Sequence, residues 1–171
     1  MRIRSSLAWA GCLLLAAPAA VYAASLSNAD RQFLMTAART DMVMAHEGEM
    51  AQNQAKRDDV KTFGKTLAQD EADDYAHLSK LATKTGVAIP NGINVAKERT
   101  IEQLARLKGS SFDRQFAMDE IQADRQAIAM FKREAAHCRD TDLKDYASKT
   151  IPVLEKHLQI AEQCAKSARH S

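Results

Sequence analysis

Apolar side chains recur every three or four residues through most of the chain after residue 27, and strand-like alternation is absent. Phe33, Ala37, Met44, Glu47 and Ala51 share one face of a segment that Ser27 or Asn28 can cap and that runs to about Ala55. Asp58 follows in a short turn and suits an N-cap. From there a second helix is predicted to Thr85, with Val60, Phe63, Leu67, Glu71, Asp74, Leu78 and Leu81 on its face and Gly86 at its C-cap. Ser111 caps a third long helix, Phe112 to about Ala136, that turns Phe116, Ile121, Ile128 and Phe131 inward. The fourth spans about Asp142 to Ser167, with Leu143, Tyr146, Ile151, Leu154, Leu158 and Ala161 inward. Pro152 lies inside it and leaves the Ser148 carbonyl without its helical partner, so a kink is expected one turn before His157.

The connection between the second and third helices is of a different kind. Val87 to Gly92 reads as a loop, and a short helix follows over about Val95 to Leu107, closing at Gly109. A link of about 25 residues exceeds what an antiparallel hairpin needs. It is long enough to travel the ~40 Å length of a neighbouring helix. The pattern therefore predicts an all-α, ferritin-like four-helix bundle with a long, helix-containing crossover between helices two and three.

The first 24 residues stand apart. Arg2 and Arg4 precede an apolar run from Leu7 to Ala17, and Val21-Tyr22-Ala23 offers a small-residue cleavage pattern. Residues 1–24 are expected to be a signal peptide, and residues 25–171 the exported domain. Pro18 and the Ala-rich end favour cleavage over a retained anchor, and Trp9 argues against lipid attachment at Cys12. The expected location is the periplasm or cell envelope, with outer-membrane association and an envelope protein partner both open. Removing Arg2 and Arg4 reduces 24 basic residues to 22, matching the 22 acidic ones. A near-neutral mature chain has no excess charge for nucleic-acid binding. No membrane span is expected in the mature form.

Cys138 and Cys164 survive export, and an oxidising compartment makes a disulfide the default. Geometry opposes it. Some 26 residues of helix separate them by roughly 35–40 Å, far beyond the ~7 Å limit for a bridge. No intrachain Cys138–Cys164 disulfide is expected.

Three segments carry a family resemblance. Val60-Lys61-Thr62-Phe63 leads to Leu67-Ala68-Gln69-Asp70-Glu71; Gly109-Ser110-Ser111-Phe112-Asp113-Arg114 leads to Asp124-Arg125; and Ile151-Pro152-Val153-Leu154-Glu155-Lys156-His157-Leu158 closes the set. In order and spacing they resemble the bacterial family of domain of unknown function 4142, over about residues 28–165. The resemblance implies a ferritin-like, exported protein of a kind often labelled an outer-membrane protein. The chain departs from the family pattern at two of its three histidines. Asp70-Glu71 and Asp124-Arg125 stand where Asp-His pairs are usual, and only His157 is kept. Met44 and His46 align with the family's first-helix glutamates, and Glu47 lies beside them.

Glu47, Glu71, Arg125 and His157 all fall near mid-length of their helices, so one layer of the bundle can gather them. Arg125 cannot be a metal ligand, but its charge can neutralise Glu71. An Arg125–Glu71–His157 hydrogen-bonded cluster is the favoured reading. A mononuclear metal site from Glu47 or His46, Glu71 and His157 is the alternative. Leu154 stands three residues before His157 where a di-iron Glu-x-x-His pair would need Glu, which argues against a working di-iron oxidase. Separately, Met35, Met42, His46 and Met50 form one stripe, a donor set suited to copper(I) but also to ordinary core filling. The function expected is that of a non-catalytic envelope bundle with a degenerate metal-like layer; the alternative is an iron- or copper-binding or redox protein of the same fold.

Overall fold

A computed structural model describes residues 26–167. The expected signal peptide lies outside the described residues. Among the described residues five helices follow one another: α1 (Asn28–Gln54), α2 (Asp58–Thr85), α3 (Val95–Arg106), α4 (Gly109–His137) and α5 (Thr141–Ser167). The fold is all-α, a four-helix bundle with α3 in the crossover.

Local chemistry sets the helix ends. Ser27 caps α1 through a reciprocal capping box: its hydroxyl accepts the Asp30 N–H, and the Asp30 carboxylate accepts the Ser27 N–H. Gly86 ends α2 in the left-handed region at φ 69°, where a side chain is strained. Asp140 caps α5 by accepting the Leu143 N–H at 2.9 Å.

Two expected caps are corrected. Asp58 opens α2 as its first residue and does not cap it; the preceding Arg57 makes no side-chain cap either. Instead the buried Asp113 of α4 accepts the backbone N–H groups of Lys56 and Arg57 at 2.9 and 3.1 Å. Ser111 lies inside α4, which starts at Gly109 with φ 58°.

The contacts that hold the ends fix the topology. Asp113 pins the start of α4 to the α1–α2 turn, while Lys84 at the end of α2 pairs with Asp142 at the start of α5. Thus α4 begins where α1 ends, and α5 begins where α2 ends. Neighbouring helices are antiparallel, α2 and α4 run in parallel, and α3 carries the chain along the bundle between them. Tyr75 of α2 donates to the Pro90 carbonyl at 2.8 Å and anchors the crossover loop. The α5 helix is continuous through Pro152.

The core is split along its length. One apolar cluster joins Phe33, Leu34, Leu78, Phe131, Leu143 and Tyr146 at the end holding the α4–α5 turn. A second joins Met44, Phe63, Leu67, Phe112, Phe116 and Cys164 at the end holding the α1–α2 turn. Ile121, Ile151, Leu158 and Leu81, all expected inward, are only partly buried and flank these clusters. Cys138 and Cys164 are free thiols in opposite clusters. No described helix is long and apolar enough to cross a membrane.

Gly48 and Gly64 let α1 and α2 approach closely at the level of the second cluster. A Cβ on Gly48 would lie 2.7 Å from the Gly64 carbonyl oxygen and 2.8 Å from the Ala68 nitrogen. Glu47, next to Gly48, is thereby held against the interior.

Candidate metal centre

Between the two clusters the stripes that bury apolar residues elsewhere bury acids instead. Asp41 and Glu47 of α1, Glu71 of α2, and Glu120 and Asp124 of α4 are all buried, and His157 of α5 is wholly so. Glu120 and Asp124 continue the inward series Phe112, Phe116, Ala117 and lead into Ala127 and Phe131. Their helix face leaves them nowhere else to point.

The imidazole is oriented from one side. Its Nε2 lies 3.0 Å from Asp70 Oδ2, and Asp70 is partly exposed at the layer's edge. An Nε2–H donating to that carboxylate leaves Nδ1 as the inward-facing nitrogen. Nδ1 has no hydrogen-bond partner and lies 3.5 Å from Glu71 Oε1. A carboxylate that fixes a histidine's outer nitrogen while the inner one faces other carboxylates is the arrangement that orients metal-ligating imidazoles. Phe63 packs its ring against the imidazole, with centroids 6.2 Å apart.

The carboxylates lack what buried anions require. Both oxygens of Glu120, both of Asp124 and one of Asp41 are buried without a hydrogen-bond partner. Burial, and then the charges of Glu47, Asp124 and Glu71, push Glu120 well above the usual carboxyl range. Asp41 moves the same way, through burial and then the charges of Glu71 and Asp74. Burial, with the charge of Asp119 behind it, raises Glu47 to about 7. Burial, with that of Glu71, raises Asp124 to about 7. Glu71 is raised mainly by burial, although His157 pulls it down. For His157, burial pushes downward, but Glu71, Asp70 and Asp124 together outweigh it and the imidazole titrates above its ordinary value.

One turn further along, Tyr146 donates to Asp74 Oδ2 at 2.6 Å, so this acid has the partner that the central ones lack. Solvent approaches the layer from two sides. Glu47 lines a cavity of about 440 Å³ between α1, α3 and α4, together with Lys97 and Asp119. Glu71 lines a groove of about 540 Å³ between α2 and α5, together with Asp70, Asp73 and Asp74.

Of the residues picked out from the sequence, Glu47, Glu71 and His157 are buried at this level. Arg125 is not part of it. Its guanidinium turns outward and pairs with Glu162 at 2.8 Å on the surface, so the expected Arg125–Glu71–His157 cluster is replaced by Asp124, Glu71 and His157. Successive helical residues diverge by about 100°, so Asp124 and Arg125 cannot both face inward. His46 is exposed, whereas Met35, Met42 and Met50 are half-buried. Glu120, Asp124 and Asp41 were not anticipated. Their signal was spacing alone: each falls on a 3–4 repeat otherwise filled by apolar residues.

The fold is shared with solved proteins of low identity. A DUF305 fragment from Deinococcus radiodurans aligns with TM-score 0.73 at 12% identity, over 83% of this chain and 98% of that one. CopM, in its Cu(I)-bound form, aligns with TM-score 0.68 at 14% identity, over 81% of this chain and 96% of that one. No curated protein matches the sequence. The profile of the domain of unknown function DUF4142 matches residues 15–164, nearly the whole length. The chain belongs to the DUF4142 family.

Proposed function

We propose that this protein is an exported envelope bundle that holds a divalent first-row cation, iron(II) in the first instance, in its mid-bundle layer. Glu47, Glu71, Glu120, Asp124 and His157 are the ligand set from which it would be bound. One observation carries the reading. Several buried carboxylates share this layer with one imidazole, the oxygens of Glu120 and Asp124 have no hydrogen-bond partner, and no Lys or Arg among the described residues is buried with them. Such anions must be protonated or matched by a cation. With Arg125 on the surface, His157 is the one buried side chain among the described residues that can supply positive charge, and it cannot match all of the carboxylates.

Oxygen-rich donors with a single imidazole suit a hard or borderline divalent ion better than copper(I). The cation would be held without any redox turnover being required of the fold. Anaerobic titration of metal-free protein with iron(II), monitored by calorimetry, tests this. Binding tighter than about micromolar that Glu120→Gln and His157→Ala both weaken supports it. Binding weaker than that in the parent protein removes it.

A second reading has its own support. CopM was solved in a Cu(I)-bound form, and here Met35, Met42 and Met50 lie half-buried along one stripe of α1 with His46. Copper(I) titration of a Met42→Leu, Met50→Leu variant separates the two. Loss of copper(I) uptake with unchanged iron(II) uptake would assign the thioethers, not the carboxylate layer. Export itself is tested by fractionating cells that express the full chain and sequencing the mature N-terminus.

A further inference from the structure

A second donor set lies at the far end of the bundle, remote from the mid-bundle layer. Asp30 sits in the first turn of α1, Glu134 in the last turn of α4, and Cys138 at the C-cap of α4. One ligand atom from each lies within 4.8 Å of the other two. All three residues are more than nine-tenths buried. Glu134 and Cys138 are four residues apart on one helix face, and the Cys138 N–H closes that last turn on the Glu134 carbonyl at 2.9 Å.

Each donor has capacity to spare. Asp30 uses Oδ2 to accept the Ser27 N–H, which leaves Oδ1 available. Glu134 Oε1 is buried without a hydrogen-bond partner. The Cys138 thiol has a long contact, 3.6 Å, to the Asp140 carbonyl and lies within hydrogen-bonding reach of the Glu134 carboxyl. Neither carboxylate is in an ion pair with a described residue, and the nearby Arg133 is exposed. Two adjoining buried carboxyls beside a thiol repel one another unless a proton or a cation lies between them. In the ion-free state the thiol is pushed up to about 12, by burial and then by the charges of Glu134 and Asp30.

We propose that Asp30, Glu134 and Cys138 form a second metal site, independent of the mid-bundle layer, for a borderline thiophilic divalent ion such as zinc(II). One thiolate and two carboxylates are ligands that zinc accepts, and three protein donors leave a position for water. Binding forms the metal–sulfur bond and releases the thiol proton to solvent, with no change of oxidation state. The site ties the first turn of α1 to the last turn of α4, so occupancy stabilises the end of the bundle where the chain enters it.

The test uses reduced, metal-free mature protein titrated with cadmium(II), whose thiolate complex has an ultraviolet charge-transfer band, and then with zinc(II) as competitor. The expected result is one band-forming equivalent per chain, displaced by zinc. It should persist in Cys164→Ser and in Glu120→Gln, and vanish in Cys138→Ser. Glu134→Gln, which keeps shape and fold, should weaken cadmium binding at least about tenfold. The proposal is overturned if the parent protein shows no thiolate band, if the band survives Cys138→Ser, or if Glu134→Gln binds cadmium as tightly as the parent. Because the mid-bundle variant retains this band, failure here leaves the carboxylate layer untouched, and the reverse also holds.

Discussion

Stability of the metal-free protein should fall as pH rises through neutrality, the opposite of what salt-bridged carboxylates produce. Glu47 titrates at about 7 where its ordinary value is 4.5, and Asp124 at about 7 where its ordinary value is 3.8. Both bind protons more tightly in the folded state than in the unfolded one. Their contribution is therefore fully present below about pH 4 and lost as pH rises through about 7. His157, also raised, acts with the same sign: its contribution is complete below its unfolded value and disappears above its folded one. Each carboxyl displacement corresponds to about 3–4 kcal/mol once the group ionises. The two groups share a field with Glu71 and Glu120, so the losses do not add in full, and about 5 kcal/mol is expected for the layer. That is a large part of the roughly 5–15 kcal/mol that holds a domain together.

The assay is urea denaturation followed by far-ultraviolet circular dichroism, with chelator present, at intervals from about pH 5 to about pH 8. The midpoint should drop across that range. Saturating divalent metal should abolish or reverse the slope, because the bound cation favours the ionised acids. A chelated protein whose midpoint is flat or rises over the same range would refute the electrostatic reasoning for the whole layer.

Other substitutions read separate parts of the structure. His157→Ala removes a wholly buried ring and the partner of Glu71; it should cost about 2–4 kcal/mol in chemical denaturation and cancel any metal-induced rise in Tm. Arg125→Ala removes only a surface pair with Glu162, so Tm and iron(II) affinity should stay near those of the parent; a loss of metal affinity would return Arg125 to the interior. Gly48→Ala should destabilise by about 1–3 kcal/mol in spite of alanine's better helix propensity, because its methyl meets the backbone of α2; an unchanged urea midpoint would show that the two helices separate freely.

The helices were legible because their apolar stripes are regular, and Gly86 marked the end of α2 by a backbone need that few other residues meet. The crossover followed from segment length. The Asp58 cap was misassigned because Asp113 of α4, some 56 residues away in sequence, caps the α1–α2 turn in its stead. That partnership is tertiary and has no local signature. The site was half legible. His157 and Glu71 stood out because a polar residue replaced an apolar one in a clear stripe. Glu120 and Asp124 did so too, but Ile121 and Arg125 beside them drew the inward face one residue off, and on a helix that error exchanges a buried carboxylate for an exposed guanidinium.

That exchange alters the charge balance of the layer, and with it the protons that metal binding must displace. Five buried acids, Asp41, Glu47, Glu71, Glu120 and Asp124, share the mid-bundle region with one imidazole. Burial pushes Glu120 and Asp41 well above the usual carboxyl range, toward the protonated form, and leaves Glu47 and Asp124 half-protonated at about pH 7. A divalent ion that recruits Glu120 with Glu47 or Asp124 must therefore expel protons from them, whereas a preformed anionic site would expel few. Calorimetric titrations with the same metal in two buffers of different ionisation enthalpy count those protons directly. More than about one proton per ion is expected near neutral pH, rising as the pH is lowered. Release of less than about half a proton per ion would mean that the ligands are already ionised, or that the ion sits outside the layer. Repeating the titration with Glu120→Gln decides between these: the proton count should drop if Glu120 is a ligand and stay constant if the ion binds elsewhere.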